Sequence, residues 1–226
     1  MIKLNNVYKA YNNEQLYSNF SIEFEENKIS CILGPSGLGK TTLVNMIAGL
    51  TKPDSGEIIL PDNSIFSYVF QEPRLLEWYN VYDNIDIVLK KHYNSSERKN
   101  IIDKILKLVD LQEFSTYKVS ELSGGMAGRV SIARALAYPS NIVILDEPFN
   151  GLDYRLEEDL SLKLKNILLE EKRTIIYITH DIDQALFLSD YIYVLNNKPI
   201  EIVSKLSKSD FSKNLLYYKN IIKNYL

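Results

Sequence analysis

Residues 29–50 read ISCILGPSGLGKTTLVNMIAGL, and the stretch GPSGLGKTT at 34–42 inside them matches G-x-x-x-x-G-K-[ST]. The apolar run before it, rich in β-branched residues, reads as a buried strand, and residues 41–50 carry apolar positions at helical spacing. Between strand and helix, glycines let the chain curl so that successive N–H groups face phosphate oxygens. Lys40 then reaches the terminal phosphates, and the Thr41 hydroxyl suits a Mg²⁺ ion. Gly34, Pro35, Ser36, Gly37, Leu38, Gly39, Lys40, Thr41 and Thr42 are therefore the candidate nucleotide-binding residues.

Working outward, three further runs at 142–145, 175–178 and 191–195 are apolar on both alternations, as expected of strands covered on both faces in a parallel sheet. Helical patterns at 155–172 and 181–190 lie between them. Segments 2–8 and 17–24 alternate polar and apolar residues, 57–60 and 67–70 read as further strands, and together they are expected to form an antiparallel edge. Between 71 and 139 the texture turns helical, which predicts a lobe inserted between halves of the core. The second buried run ends in IVILDEP, where Asp146 suits a hydrated Mg²⁺ and Glu147 suits polarisation of an attacking water.

The stretch LSGGMAGRV at 122–130 sets a capping serine and two glycines before a helix, a second ready anion site. Taken together, these motifs resemble the ATP-binding cassette (ABC) ATPases over residues 1 to about 205. The resemblance implies an α/β fold: a P-loop NTPase (RecA-like) parallel sheet core, an antiparallel β edge subdomain and an inserted α-helical subdomain. It divides a single ABC ATPase domain, 1–226, into core and β edge at 1–72 and 139–205, a helical signature lobe at 73–138, and a C-terminal helix at 206–226. It also implies that Leu122, Ser123, Gly124, Gly125 and Met126 are a signature motif acting in trans on ATP held by a second, head-to-tail copy. Gln71 in VFQEP resembles the Q-loop glutamine, a catalytic residue and metal ligand beside Thr41 and Asp146. Asp153 in NGLD resembles the D-loop, His180 in YITHD the switch histidine, and Tyr11 the residue stacking on adenine, with Tyr8 or Tyr17 as substitutes. ATP and Mg²⁺ are the cofactors implied.

Segment 70–85, FQEPRLLEWYNVYDNI, resembles importer ATPases of the nitrate, sulfonate and taurine type. That likeness implies an energy-coupling ATPase at the cytoplasmic face of the membrane, with integral-membrane permease subunits and, indirectly, an extracytoplasmic solute-binding protein. Trp78, with Leu75, is then either a permease anchor or packed inside the lobe. An exporter ATPase, or a cassette of translation or DNA repair, shares the same motifs. Gly128 departs from the family pattern, which has glutamine before the arginine, and implies weaker contacts in the helical lobe with hydrolysis retained. The stripe Phe211, Leu215, Tyr218, Ile222 and Tyr225 is expected to pack on its own domain or to meet a membrane surface or partner.

Composition narrows the classes. Twenty-six Lys and Arg against 29 Asp and Glu give a net charge of −3, which argues against a duplex-wrapping protein, so no nucleic acid partner is expected. A single cysteine, Cys31, excludes an internal disulfide and reads as a buried structural thiol. No stretch approaches the roughly 18 apolar residues of a membrane span, nor does the N-terminus read as an export signal.

Overall fold

The computed structural model describes the backbone of residues 1–226 and every side chain except those of Tyr154, Leu168 and Leu169. The chain opens with β1 (Ile2–Tyr11) and β2 (Glu14–Phe24), an antiparallel hairpin. Asn12 and Asn13 close it at φ 50° and 66°, the positive values that a tight two-residue hairpin turn demands. Then come β3 (Ile29–Leu33), α1 (Lys40–Ile47), β4 (Ser55–Ile59) and β5 (Phe66–Val69). The helical lobe follows with α2 (Val81–Leu89), α3 (Ser95–Leu108), two short 3₁₀ turns and α4 (Gly124–Ala137). The core resumes with β6 (Ile142–Asp146), α5 (Tyr154–Glu170), β7 (Thr174–Thr179), α6 (Ile182–Leu188), β8 (Tyr191–Asn196) and β9 (Glu201–Ser207). Two helices, α7 (Lys208–Phe211) and α8 (Leu215–Lys223), complete the described chain.

Six strands form the main sheet in the order β5-β6-β7-β3-β8-β9, parallel throughout except for β9. Alternate residues of these strands enter two separate cores, which is why their sequence shows no polar face. Cys31, Leu33, Val143, Leu145, Ile175 and Tyr177 pack with the helical lobe, α6 and α8. Ile32, Ile144, Ile176, Ile178, Tyr193 and Leu195 pack with α1 and the separate three-stranded antiparallel sheet β2-β1-β4. Cys31 is fully buried, and burial pushes its thiol up to about 12, so it is the inert thiol its sequence setting implied. The observed fold is thus α/β with an antiparallel sheet and an inserted helical lobe.

Two details differ from the sequence reading. Segment 67–70 was expected in the antiparallel edge, yet β5 pairs in parallel with β6 at the rim of the main sheet. Strand composition carries no strand direction; the long crossover through the helical lobe is what permits parallel pairing here. The stretch 206–226 is not one helix. β9 continues to Ser207 as an antiparallel partner of β8, and the helix beyond it is interrupted at 212–214, where Asn214 starts α8 afresh by accepting from the Tyr217 N–H at 3.1 Å. The expected apolar stripe divides accordingly: Phe211 and Ile222 are buried and Tyr218 packs against the core, while Leu215 and Tyr225 are exposed.

Candidate nucleotide site

The loop at 34–39 leaves the C-terminal end of β3 and opens α1, where the helix dipole favours an anion. Gly39 sits at φ 120°, and a Cβ there would meet Leu16 Cδ1 at 2.8 Å and Ile200 Cδ1 at 2.9 Å, so only glycine fits. Lys40, 5% exposed, donates from Nζ to the carbonyls of Gly34 at 2.7 Å and Pro35 at 2.8 Å. Desolvation pulls its pKa down, and the carboxylates of Glu147 and Asp146 hold it up. A cation is thereby fixed under a loop otherwise built of backbone amides.

Beside it, the Thr41 hydroxyl donates to Oδ2 of Asp146, the last residue of β6, at 2.8 Å. Burial raises the Asp146 pKa, the Thr41 bond opposes that, Glu147 adds to it and Lys40 opposes it. A hydroxyl and a carboxylate oxygen so placed fit a hard divalent cation. No group of three or more His, Cys, Asp or Glu able to hold a metal exists among the described residues, and an ion at this pair would take its other ligands from elsewhere. Mg²⁺ is commonly bound in this way, by one or two protein oxygens plus substrate phosphates and water.

Glu147 occupies a left-handed conformation at φ 48°, a strained choice for a side-chain-bearing residue worth of the order of 1–3 kcal/mol. Its N–H donates to Ile178 O at 3.0 Å, and its carbonyl accepts from Asn150 N at 3.2 Å, so the two flanks of the turn hold it there. The side chain is turned toward His180, Oε1 lying 3.4 Å from Nδ1, and both line a small pocket of about 170 Å³ with residues 149–152. His180 is exposed, at the turn between β7 and α6. Asp153 caps α5, accepting from the Leu156 N–H at 3.1 Å.

Ser123 is the N-cap of α4, its Oγ accepting from Met126 N at 3.2 Å, which leaves the hydroxyl hydrogen free to donate outward. Gly125 lies against residues 151–152: an added Cβ would meet Leu152 Cδ2 at 3.1 Å and Gly151 O at 3.4 Å. Leu122 and Met126 flank the cap and pack against the core. The cleft here, about 870 Å³, is lined by Gln71, Ser123, Gly125, Glu147 and Asp153 among others, and by none of residues 34–42. The capped helix thus opens on a cleft that the phosphate loop does not line. Gln71, two residues beyond β5, lines this larger cleft together with Glu147. Gly128 meets open space at its Cβ position, and Arg129 still holds α4 to the carbonyls of Val109 at 2.8 Å and Asp110 at 3.0 Å. The glycine thus costs helix propensity of about 1 kcal/mol while the Arg129 contacts remain.

Among the candidate adenine stackers, Tyr17 is fully buried and donates from its hydroxyl to Gly39 O at 3.1 Å, which makes it a brace for the phosphate loop. Tyr11 is 47% exposed at the end of β1, with Lys9 Nζ 5.1 Å from its ring centroid; Tyr8 is 37% exposed. Trp78 is 75% exposed and so is not packed inside the lobe, whereas Leu75 is partly buried against the core. Asn84 holds the Trp78 segment, accepting from Leu76 N at 2.9 Å and donating to Asn80 O at 2.9 Å. The Tyr17 brace, the Asn84 anchor and the contacts that Gln184 makes are not legible in the sequence, since each depends on packing that no local motif announces.

The family model described as ABC transporter matches residues 17–150. The spermidine/putrescine import ATP-binding protein PotA of Clostridium acetobutylicum is 37% identical over 98% of this chain and 68% of its own length. The nitrate import ATP-binding protein NrtD of Synechococcus elongatus is also 37% identical, over 85% of this chain and 74% of its own. A dimeric ATP-binding cassette solved in a post-hydrolysis state, bound to ADP and Pi, superposes with a TM-score of 0.82 at 30% identity, over 92% of this chain and 99% of that one. The chain belongs to the ABC transporter family and is an ATP-hydrolysing cassette of it.

Proposed function

We propose that this cassette is the energy-coupling subunit of a multi-subunit importer, working as a head-to-tail homodimer that encloses two ATP molecules. The observation that carries the dimer is the separation of the two anion-binding helix starts: residues 34–42 line none of the cleft in which Ser123 and Gly125 lie. A symmetric pair resolves that separation, because each copy then supplies the capped helix to the other copy's phosphates. Support also comes from the dimeric cassette that this chain resembles.

Within each site, residues 34–42 cradle the phosphates, Lys40 neutralises their charge and Tyr11 stacks on the base. Thr41, Asp146 and Gln71 would hold Mg²⁺, which when bound offsets phosphate charge. Glu147 accepts a proton from the attacking water, and His180, 3.4 Å from it, orients that carboxylate and meets the γ-phosphate. Ser123, Gly124 and Gly125 of the second copy donate to the same phosphate, with Leu122 and Met126 framing them and Asp153 fixing the adjoining turn. Hydrolysis removes the charge that both copies grip, so the interface loosens.

The permease contact is placed on the segment from Gln71 to Trp78, because a largely exposed tryptophan held by a braced loop is a typical interface anchor. No described helix is long and apolar enough to cross a membrane, so separate permease chains would hold the cassette at the cytoplasmic face. The solute reading is a small anion of the nitrate or sulfonate type, delivered by an extracytoplasmic binding protein and supported by the likeness of segment 70–85. Polyamine importers at equal identity define the competing class. The test is co-purification of the permease with wild-type and Trp78→Ala cassettes. Wild type is expected to retain the permease and the variant to lose about 2 kcal/mol of affinity or more, with an unchanged Tm. Equal retention of both overturns the placement of the contact. Ligand screening of the companion binding protein separates anion from polyamine.

A further inference from the structure

Gln184, on the first turn of α6, is the hub of a polar cluster immediately behind the Glu147–His180 pair. Its Oε1 accepts from the hydroxyl of Tyr177, a fully buried residue of β7, and from Thr179 Oγ1 at 3.0 Å. Thr179 Oγ1 in turn accepts from Asp181 N at 3.0 Å, and Asp181 Oδ1 accepts from Gln184 N at 3.0 Å. Thr179, before His180, is thus tied to the Gln184 side chain, and Asp181, after it, to Thr179 and to the Gln184 main chain. On its other face, Gln184 Nε2 donates to Glu157 Oε1. Glu157 belongs to the first turn of α5, and its own N–H donates to Asp153 O at 2.9 Å.

We propose that Gln184 is a positioning residue that locks the His180 turn to the Asp153 turn, so that Glu147 and His180 meet the nucleotide in one fixed geometry. This rests on the reading of Glu147 and His180 given above. The amide is suited to the task because it accepts on one side and donates on the other. A carboxylate at the same place keeps the acceptor side, toward Tyr177 and Thr179, and replaces the donor with an oxygen facing the Glu157 carboxylate. Two carboxylates in such contact repel, and the joint between α5 and α6 opens.

Gln184→Glu therefore isolates the link to Glu157 with almost no change of volume. Steady-state ATPase of the variant should show kcat lowered about tenfold with KM for ATP within about twofold of wild type, since misplacement of reacting groups acts on chemistry and leaves substrate binding alone. Adding Glu157→Gln restores a donor on the opposite side, and the double variant should return to within about threefold of wild-type kcat. A purely structural role would move Tm, KM and kcat together and would not be rescued. Wild-type kcat in Gln184→Glu, parallel loss of KM and Tm, or failure of the double variant to recover overturns the positioning role. If Glu147→Gln and His180→Ala hydrolyse ATP as well as wild type does, the reading of the site falls and this role with it. If those two variants are inactive while Gln184→Glu is normal, the site stands and only Gln184 is misassigned.

Discussion

Glu147→Gln is expected to lower ATP hydrolysis by at least about 10²-fold while nucleotide affinity stays within about twofold of wild type, because it removes a proton acceptor without removing a phosphate contact. The shape of the site makes the substitution clean. Glu147 owes its strained backbone to the bond its N–H donates to Ile178 O and the bond its carbonyl accepts from Asn150 N, made by main-chain atoms that the change leaves alone. The amide keeps one oxygen for the neighbouring His180, so the ring has no reason to move. With chemistry stopped and charge retained on the bound nucleotide, the two copies should stay closed as a stable ATP-bound dimer. Size-exclusion chromatography with light scattering, with and without Mg-ATP, checks this; a monomer at saturating Mg-ATP counts against it.

The second large effect is expected at Lys40. Lys40→Ala should weaken ATP binding by about 10- to 10²-fold, equivalent to the roughly 1.5–3 kcal/mol of hydrogen bonds to a charged group, and hydrolysis should fall further still. The ammonium does two jobs that alanine cannot: it braces Gly34 and Pro35 from beneath, and it holds positive charge where the proposed site receives the terminal phosphates. Desolvation opposes that charge, and the carboxylates of Glu147 and Asp146 preserve it, so the cation depends on the site and the site on the cation. Equilibrium titration with a fluorescent ATP analogue measures the loss, and thermal unfolding separates it from misfolding, since the variant also relieves a buried charge. Unchanged affinity would remove Lys40 from the phosphate contacts.

Much of this arrangement is legible in the sequence because phosphate chemistry is met locally. A curled loop needs glycine at position 39, a cation at 40 and an oxygen at 41, and these requirements fall on consecutive residues. The buried strands announce themselves by being apolar on both alternations, since each meets a core on either side. What stayed hidden depends on packing between distant segments. Tyr11 and Tyr17 look alike as residues, and only the closure of the β1–β2 hairpin over the loop buries one and exposes the other. β5 and β9 have ordinary strand composition, and their directions are set by what each connection passes through. Glu157 and Gln184 meet only because α5 and α6 pack side by side.

The central claim is that ATP is enclosed by two copies, with the capped helix of one on the phosphate loop of the other. It is tested most directly by mixing two forms in the Glu147→Gln background, each with one added cysteine, one carrying Ser36→Cys in the exposed loop and the other Gly124→Cys, where an added Cβ meets nothing within 4 Å. The native Cys31 is buried and inert and does not compete. With a short bifunctional thiol reagent, Mg-ATP should produce a cross-link joining one chain of each kind, absent without nucleotide. No mixed cross-link at saturating Mg-ATP, or closure of both cysteines within one chain when they are combined, would contradict the account.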